Sequence, residues 1–205
     1  MRTTTFSYKT LPKDPLILFK AWYKVAHKTY ADDPEHAAAM ALSTADEAGA
    51  VDVRFVLLKG IEPDGFLFYT DYTSPKGHDL TRNPQAAIAF YWHELHRQIR
   101  IRGRIKKITD AASDAYFSTR PKGSQIATIA YAQSRRIPLD HDFTGGIETV
   151  TRKYAGQPLP RPNVWGGYRI VPRTIEFWQA GRDRLHTRFV YRKEGTGWHI
   201  VRLTP

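Results

Sequence analysis

Gln98-Ile99-Arg100-Ile101-Arg102-Gly103-Arg104-Ile105-Lys106 alternates without a break. Ile99, Ile101 and Ile105 fall on one face with Gly103 among them, and Gln98, Arg100, Arg102, Arg104 and Lys106 fall on the other. A period of two belongs to a strand, because successive side chains leave opposite faces of the pleat. One apolar and one charged face makes it a half-buried strand of an antiparallel sheet. Working outward, residues 86–92 read as a preceding strand and residues 168–178, 188–192 and 198–203 as later ones, with Gly195-Thr196-Gly197 turning the last hairpin. Further back, 37–44 is a small-residue apolar run expected to be a buried strand. Runs 51–59 and 66–71 flank Glu62-Pro63-Asp64-Gly65, which predicts a hairpin between them.

Helices sit between these runs. Asp14-Pro15 is a cap followed by a first-turn proline, and Leu16, Phe19, Trp22, Val25 and Ala26 recur at helical spacing toward an end near Lys28. Ser74-Pro75 starts a short helix through Leu80, and Asn83-Pro84 stops it. Helical patterns also cover 110–119, 123–133 and 145–154. Strands dominate without a βαβ rhythm, so the expected fold is mainly β with flanking helices: a closed or partly closed antiparallel barrel. Residues 158–162 are the most linker-like but too few to divide the chain, so 1–205 is read as a single domain.

At 41% hydrophobic and 25% charged residues the composition is that of a soluble globular protein. The absence of Cys excludes disulfides, thiolate catalysis and Cys-bound metals. Residues 1–5 lack the apolar core of a secretory signal, so a cytoplasmic setting is expected. The net charge of +11 is spread along the chain, with Arg135-Arg136 a pair rather than a patch. That favours phosphorylated small molecules over nucleic acid. There is no dinucleotide-binding Gly-x-Gly-x-x-Gly and no P-loop. His93-Glu94-Leu95-His96 and Asp140-His141-Asp142 read as a turn and a solvated loop, and no metal is expected.

Chemistry concentrates in Ile175-Glu176-Phe177-Trp178-Gln179-Ala180-Gly181-Arg182-Asp183-Arg184-Leu185-His186-Thr187-Arg188. An aromatic plane beside fixed cations and an imidazole suits a planar anionic ligand. A surface hairpin with ordinary charges is the alternative. The order of residues closely resembles the C-terminal signature of the pyridoxine/pyridoxamine 5'-phosphate oxidase family, flavoproteins that make pyridoxal phosphate. That signature is Glu-Phe-Trp-Gln, a spacer of four residues, then Arg-Leu-His-Asp-Arg; here Thr187 stands where the family usually has an acid or amide. The resemblance runs from Leu11-Pro12-Lys13-Asp14-Pro15 to Arg202-Leu203-Thr204-Pro205.

The resemblance implies an FMN-binding split barrel and a homodimer whose FMN sites are built from both subunits. By it, Arg54, Phe55, Val56, Leu57, Leu58, Lys59, Tyr69 and Thr70 border FMN, and Lys76 holds its phosphate. Pro75 stands where the family commonly has a second phosphate cation. Gln98, Gln133, Ser134, Trp178 and Arg188 complete the cofactor set. Lys59, Tyr116, Arg120 and Ser124 are the implied substrate-phosphate residues, and Arg184 and His186 the catalytic pair over the pyridine. Only ten residues precede Leu11, so the arm that closes over substrate in longer relatives is expected to be absent or remodelled. The implied activity is oxidation of pyridoxine or pyridoxamine 5'-phosphate to pyridoxal 5'-phosphate, with O2 as acceptor and H2O2 released. The alternatives are oxidation of dihydrophenazine-type substrates on the same barrel, or a flavin- or nucleic-acid-binding module without catalysis.

Overall fold

The computed structural model describes residues 7–205, so the reading of residues 1–5 lies outside the described residues. Nine strands form one antiparallel sheet: β1 (Ala39–Ala45), β2 (Val51–Leu57), β3 (Gly60–Glu62), β4 (Gly65–Asp71), β5 (Gln85–Trp92), β6 (Arg97–Lys107), β7 (Trp165–Gln179), β8 (Thr187–Glu194) and β9 (Gly197–Leu203). The order is β2-β1-β5-β6-β7-β4-β3, with β8 on β7 and β9 on β8. β7 is the longest strand and decides the architecture. One edge pairs with β6, while the other is shared between β4 (Asp71↔Trp165 to Phe66↔Ile170) and β8 (Thr174↔Arg192 to Gln179↔Thr187). The sheet therefore forks at β7.

The fork coincides with an irregularity. Arg102 pairs with Thr174 but Gly103 pairs with Pro172, so Arg173 is an extra residue at a bulge. A bulge bends the strand and accommodates a proline, which has no N–H for the ladder. Gly103 is needed opposite it, since a Cβ there would lie 2.1 Å from the Val171 carbonyl oxygen.

β6 alternates as its sequence predicts: Ile99, Ile101, Gly103 and Ile105 are buried, and the intervening arginines are exposed. The core behind it is aromatic, with Phe66, Phe68, Phe90, Tyr168, Phe177 and Tyr191 essentially inaccessible. α1 (Pro15–Thr29) covers it. Asp14 caps this helix by accepting from the Leu16 N–H at 2.9 Å, and Leu16, Phe19, Trp22 and Ala26 are buried. Phe19 meets Phe66 and Phe90 edge-on at 4.7 and 5.4 Å. Val25, expected on the same stripe, is 43% exposed and falls off that face.

Three expectations about elements are corrected. Run 51–59 is not one arm of the hairpin around Glu62-Pro63-Asp64-Gly65. β2 pairs with β1, and the short β3 is the arm that pairs with β4. The changeover is visible in the backbone, where Leu58 N–H donates to Ala38 O at 2.9 Å and Lys59 N–H to Leu67 O at 2.8 Å. Hydrophobic alternation fixes which face a residue takes but not which strand it pairs with. Before β1, where the strand was expected from residue 37, Asp33 and Pro34 instead start a one-turn helix, α2 (Pro34–Ala38). The helix expected over 123–133 is α5 (Lys122–Ala130), which leaves Gln133 and Ser134 in the following loop. α3 (Pro75–Arg82), α4 (Asp110–Thr119) and α6 (Thr144–Lys153) lie where expected. No helix among the described residues is long and apolar enough to cross a membrane.

Candidate active site

A cavity of about 530 Å³ opens between β2, the end of β4, the start of α3, the end of α4, the loop after α5 and the start of β7. Its β2 wall presents Arg54, Phe55, Val56 and Leu57, with Lys59 just beyond the strand. Leu58 alternates away and is buried in the core, so its side chain does not reach the cavity.

One end is cationic. Ser74 caps α3, accepting from the Gly77 N–H at 3.4 Å, which sets Lys76 in the first turn facing inward. Lys76 is only 9% exposed and its Nζ donates to Ser74 Oγ and Gln133 Oε1, both at 3.1 Å. Burial and, after it, the neighbouring Arg54 charge push this ammonium below its ordinary pKa, against a smaller opposite pull from Asp71 and Asp52. Arg54 donates through Nη1 to Thr44 Oγ1 at 2.7 Å and pairs with Asp52 through Nη2. Gln133 is held by its own N–H donating to Asp71 Oδ2 at 3.1 Å, while its Oε1 accepts from Thr70 Oγ1 at 2.9 Å. Ser134 follows with φ +61, the left-handed region that redirects the chain.

The other end is aromatic. Tyr69 and Tyr116 stack at 3.8 Å and 14° between planes, and Trp165 lies parallel to Tyr69 at 5.5 Å. Arg120, the C-cap of α4, holds its guanidinium 4.6 Å from the Trp165 ring centre and donates to Thr128 Oγ1 at 2.8 Å. Burial raises the Tyr116 hydroxyl above its ordinary pKa and keeps it protonated. An arginine steadied on an aromatic face and half withdrawn from water is prepared to receive phosphate or carboxylate. Ser124, one turn into α5, does not line the cavity; its carbonyl accepts from Thr128 Oγ1 at 2.8 Å.

The remaining expected residues gather elsewhere. Gln98, Trp178 and Arg188 form one row across β6, β7 and β8. The His186 ring lies 4.6 Å from Trp178, and its Nδ1 accepts from the Gly181 N–H at 3.2 Å. In the neutral ring that bond leaves the proton on Nε2, facing away from the turn. Arg184 is exposed and takes φ +62 directly after Asp183 at +52. Consecutive left-handed non-glycine residues store strain in a way associated with functional turns. Arg188 is tied to the buried Glu176, with Nε donating to Oε1 at 2.8 Å, and to the Thr204 carbonyl at 3.1 Å. Burial pushes the Glu176 carboxyl up, but the hydrogen bonds and charges of Arg100 and Arg188 outweigh it and leave it below the ordinary range.

One chain thus carries the expected site as two separate groups: a cavity with a cationic and an aromatic end, and a half-buried Trp178-His186-Arg188 cluster with the exposed Arg184 that does not border it. Asp52 and Trp165 line the cavity without having been singled out in the sequence. Trp165 is followed by Gly166 and Gly167, where a Cβ would strike Tyr72 Oη at 2.2 Å or Ile108 Cδ1 at 2.4 Å, so the strand start is closely packed; the glycine pair alone does not mark the indole as part of a site. His93-Glu94-Leu95-His96 forms a 3-10 turn, with His96 at φ +51, as its sequence predicts. Among the described residues no group of three or more His, Asp or Glu side chains is placed to hold a metal ion.

The likeness to known proteins covers nearly the whole chain. Residues 26–153 match the family described as pyridoxamine 5'-phosphate oxidase, and residues 165–205 match the pyridoxine 5'-phosphate oxidase C-terminal dimerisation region. A pyridoxine/pyridoxamine 5'-phosphate oxidase of Cupriavidus taiwanensis is 48% identical over 193 residues, which cover 94% of this chain and 89% of that protein. One from Myxococcus xanthus is 42% identical, covering 95% of this chain and 93% of its own. Among solved structures, PhzG of Burkholderia lata in complex with tetrahydrophenazine-1-carboxylic acid superposes with a TM-score of 0.88 at 31% identity, over 97% of this chain and 96% of that one. An FMN-binding, pyridoxamine 5'-phosphate oxidase-related protein of Nostoc punctiforme shares the fold at a TM-score of 0.77 and 16% identity, over 95% of this chain and 100% of that one. The antiparallel fork at β7 is therefore the split barrel of these proteins, and the chain belongs to the pyridoxine/pyridoxamine 5'-phosphate oxidase family.

Proposed function

We propose that this protein is an FMN-dependent oxidase that converts pyridoxine or pyridoxamine 5'-phosphate to pyridoxal 5'-phosphate, reducing O2 to H2O2. The observation that carries this reading is the cavity itself, with Arg54 and Lys76 at one end and Tyr116 and Arg120 at the other. Two separated cationic ends suit two phosphates, one on the cofactor and one on the substrate. The residues present fit FMN: a buried lysine and an arginine side by side at one end, and a stack of aromatic planes at the other. Bound FMN supplies the hydride acceptor and the reaction with oxygen.

The chain's own residues bind and orient. Arg54 and Lys76 grip the cofactor phosphate, and Gln133 and Thr70 fix the Lys76 ammonium toward it. Arg120, steadied by Trp165 and Thr128, receives the substrate phosphate beside Tyr116. Lys59 adds charge at the cavity rim. Trp178, Arg184, His186 and Arg188 lie outside the cavity of their own chain, so in this reading they act across a homodimer, closing the partner's cavity over the pyridine ring. The exposed face of β2 supports such pairing: Val51, Val53 and Phe55 are 77%, 63% and 78% exposed on a strand that borders the cavity. Apolar side chains aligned on one edge strand are normally covered.

Oxidation of a dihydrophenazine is the second reading, favoured by the overall likeness to PhzG and by Pro75 and Thr187. Arg120 and Tyr116 at the aromatic end weigh toward a phosphorylated substrate. The visible spectrum of the purified protein, FMN release by acid, and peroxide formation with pyridoxine phosphate, pyridoxamine phosphate and a dihydrophenazine decide between them. A colourless protein that takes up no FMN removes both.

A further inference from the structure

The cationic end of the cavity contains a carboxylate of its own. Asp52 lies two residues before Arg54 on β2, lines the cavity, and pairs with Arg54 Nη2. Its other oxygen accepts from the Val53 N–H at 2.7 Å, which aims the carboxylate along the strand. The rest of the arginine is fixed from within: Nη1 donates to Thr44 Oγ1 at 2.7 Å, and the Thr44 hydroxyl donates to Asp79 Oδ2 at 2.7 Å. The Arg54 side chain is 18% exposed while that of Asp52 is 64% exposed, so the cation is the enclosed partner and the anion the one at the solvent side. The other acid at this end, Asp71, accepts from the N–H and Oγ1 of Thr73 and from the Gln133 N–H, and is occupied. Of the three carboxylates near Arg54 among the described residues, Asp71 is buried and Asp79 half-buried, and Asp52 is the solvent-facing one.

We infer that Asp52 is an internal competitor for the phosphate of the cofactor: it occupies the outward edge of Arg54 in the free protein and must leave when the phosphate arrives, and so sets how tightly the cavity holds phosphorylated flavin. Asp52 takes the Nη2 donor of Arg54, while Nη1 is committed to Thr44 and Leu42, so a phosphate oxygen bound to the outward side of Arg54 takes the place of the carboxylate oxygen. A carboxylate that stays nearby after displacement repels the bound phosphate. The inference rests on the FMN reading above.

The test compares FMN with riboflavin, which lacks the phosphate. Flavin-free parent, Asp52→Asn and Asp52→Glu are titrated with each flavin and binding is followed by flavin fluorescence. Asp52→Asn keeps the acceptor for the Val53 N–H and removes the charge. It should tighten FMN about twofold to fivefold, the scale of an exposed ion pair, and leave riboflavin affinity unchanged. The gain should shrink at high salt. Asp52→Glu keeps the charge and should bind FMN like the parent. Unchanged or weaker FMN binding by Asp52→Asn, an equal gain for riboflavin, or a matching gain in Asp52→Glu overturns the role of Asp52 and leaves the FMN reading standing. A parent that binds neither flavin overturns both.

Discussion

Single side chains in this protein are set by neighbours remote in sequence. Arg120 is an ordinary helix-end arginine until Trp165 slides under its guanidinium. Removing it takes a charge-assisted contact from a phosphate partly withdrawn from water, worth roughly tenfold to a hundredfold in affinity. Arg120→Ala should raise the KM for pyridoxine phosphate by that factor and leave the flavin spectrum unchanged; steady-state kinetics beside an absorption spectrum check both. Tyr191 makes a prediction about pH. It is fully buried, its hydroxyl donates to the Pro12 carbonyl at 2.9 Å, and burial, with a smaller push from Asp14, raises its pKa from 10.0 to about 12. Folding favours the neutral phenol, so its contribution is whole below pH 10 and fades as pH rises toward about 12. Denaturant midpoints should fall over that window, and Tyr191→Phe should fall less steeply.

At the scale of elements, the decisive feature is the bulge between β6 and β7, where Gly103 faces Val171 and Pro172. It lets one long strand serve β4 on one half and β8 on the other. Gly103→Val places a branched side chain where even a Cβ would sit 2.1 Å from backbone, so the ladder must shift. The expected loss is about 1–3 kcal/mol or more of stability, the usual cost of overpacking, read from chemical denaturation. The alternation of β6, the capped start of α1 and the last hairpin were all legible, because each is a local pattern repeated over a full element. The partner of β2 was not. Both a hairpin with β4 and the observed pairing with β1 satisfy its pattern of faces, and only the crossing at Leu58 and Lys59 separates them.

For the whole molecule, the separation of the two site groups is the main finding, and the proposed homodimer is the arrangement in which they would meet. The protein should elute and sediment at about twice its 23.5 kDa chain mass. Val53→Asp and Phe55→Asp, which charge the exposed β2 face, should shift it toward monomer and lower FMN affinity together. A stable monomer with undiminished FMN binding would separate the cofactor site from the interface. The exposed apolar edge of β2 gives the physical reason to expect coupling, since it borders both the cavity and the uncovered sheet face.

The sequence by itself determined the class of fold and the chemical inventory. Alternation and capping are local, and a motif such as Glu176-Phe177-Trp178-Gln179 followed by Arg184-Leu185-His186-Thr187-Arg188 keeps its order however the chain folds. Only the tertiary structure decided which members of that inventory meet. Arg54, Thr70, Lys76, Tyr116, Arg120 and Gln133 converge because β2, β4, α3, α4 and the loop after α5 surround one cavity. The motif that identified the family ends on the far wing of the sheet, because β7 carries its C-terminal half away from β4 and toward β8. Asp52 was invisible for the same reason, and the Gly166-Gly167 pair after Trp165 marks close packing without marking a site: nothing local assigns a carboxylate or an indole to a cavity until long-range pairing brings cations and rings against it.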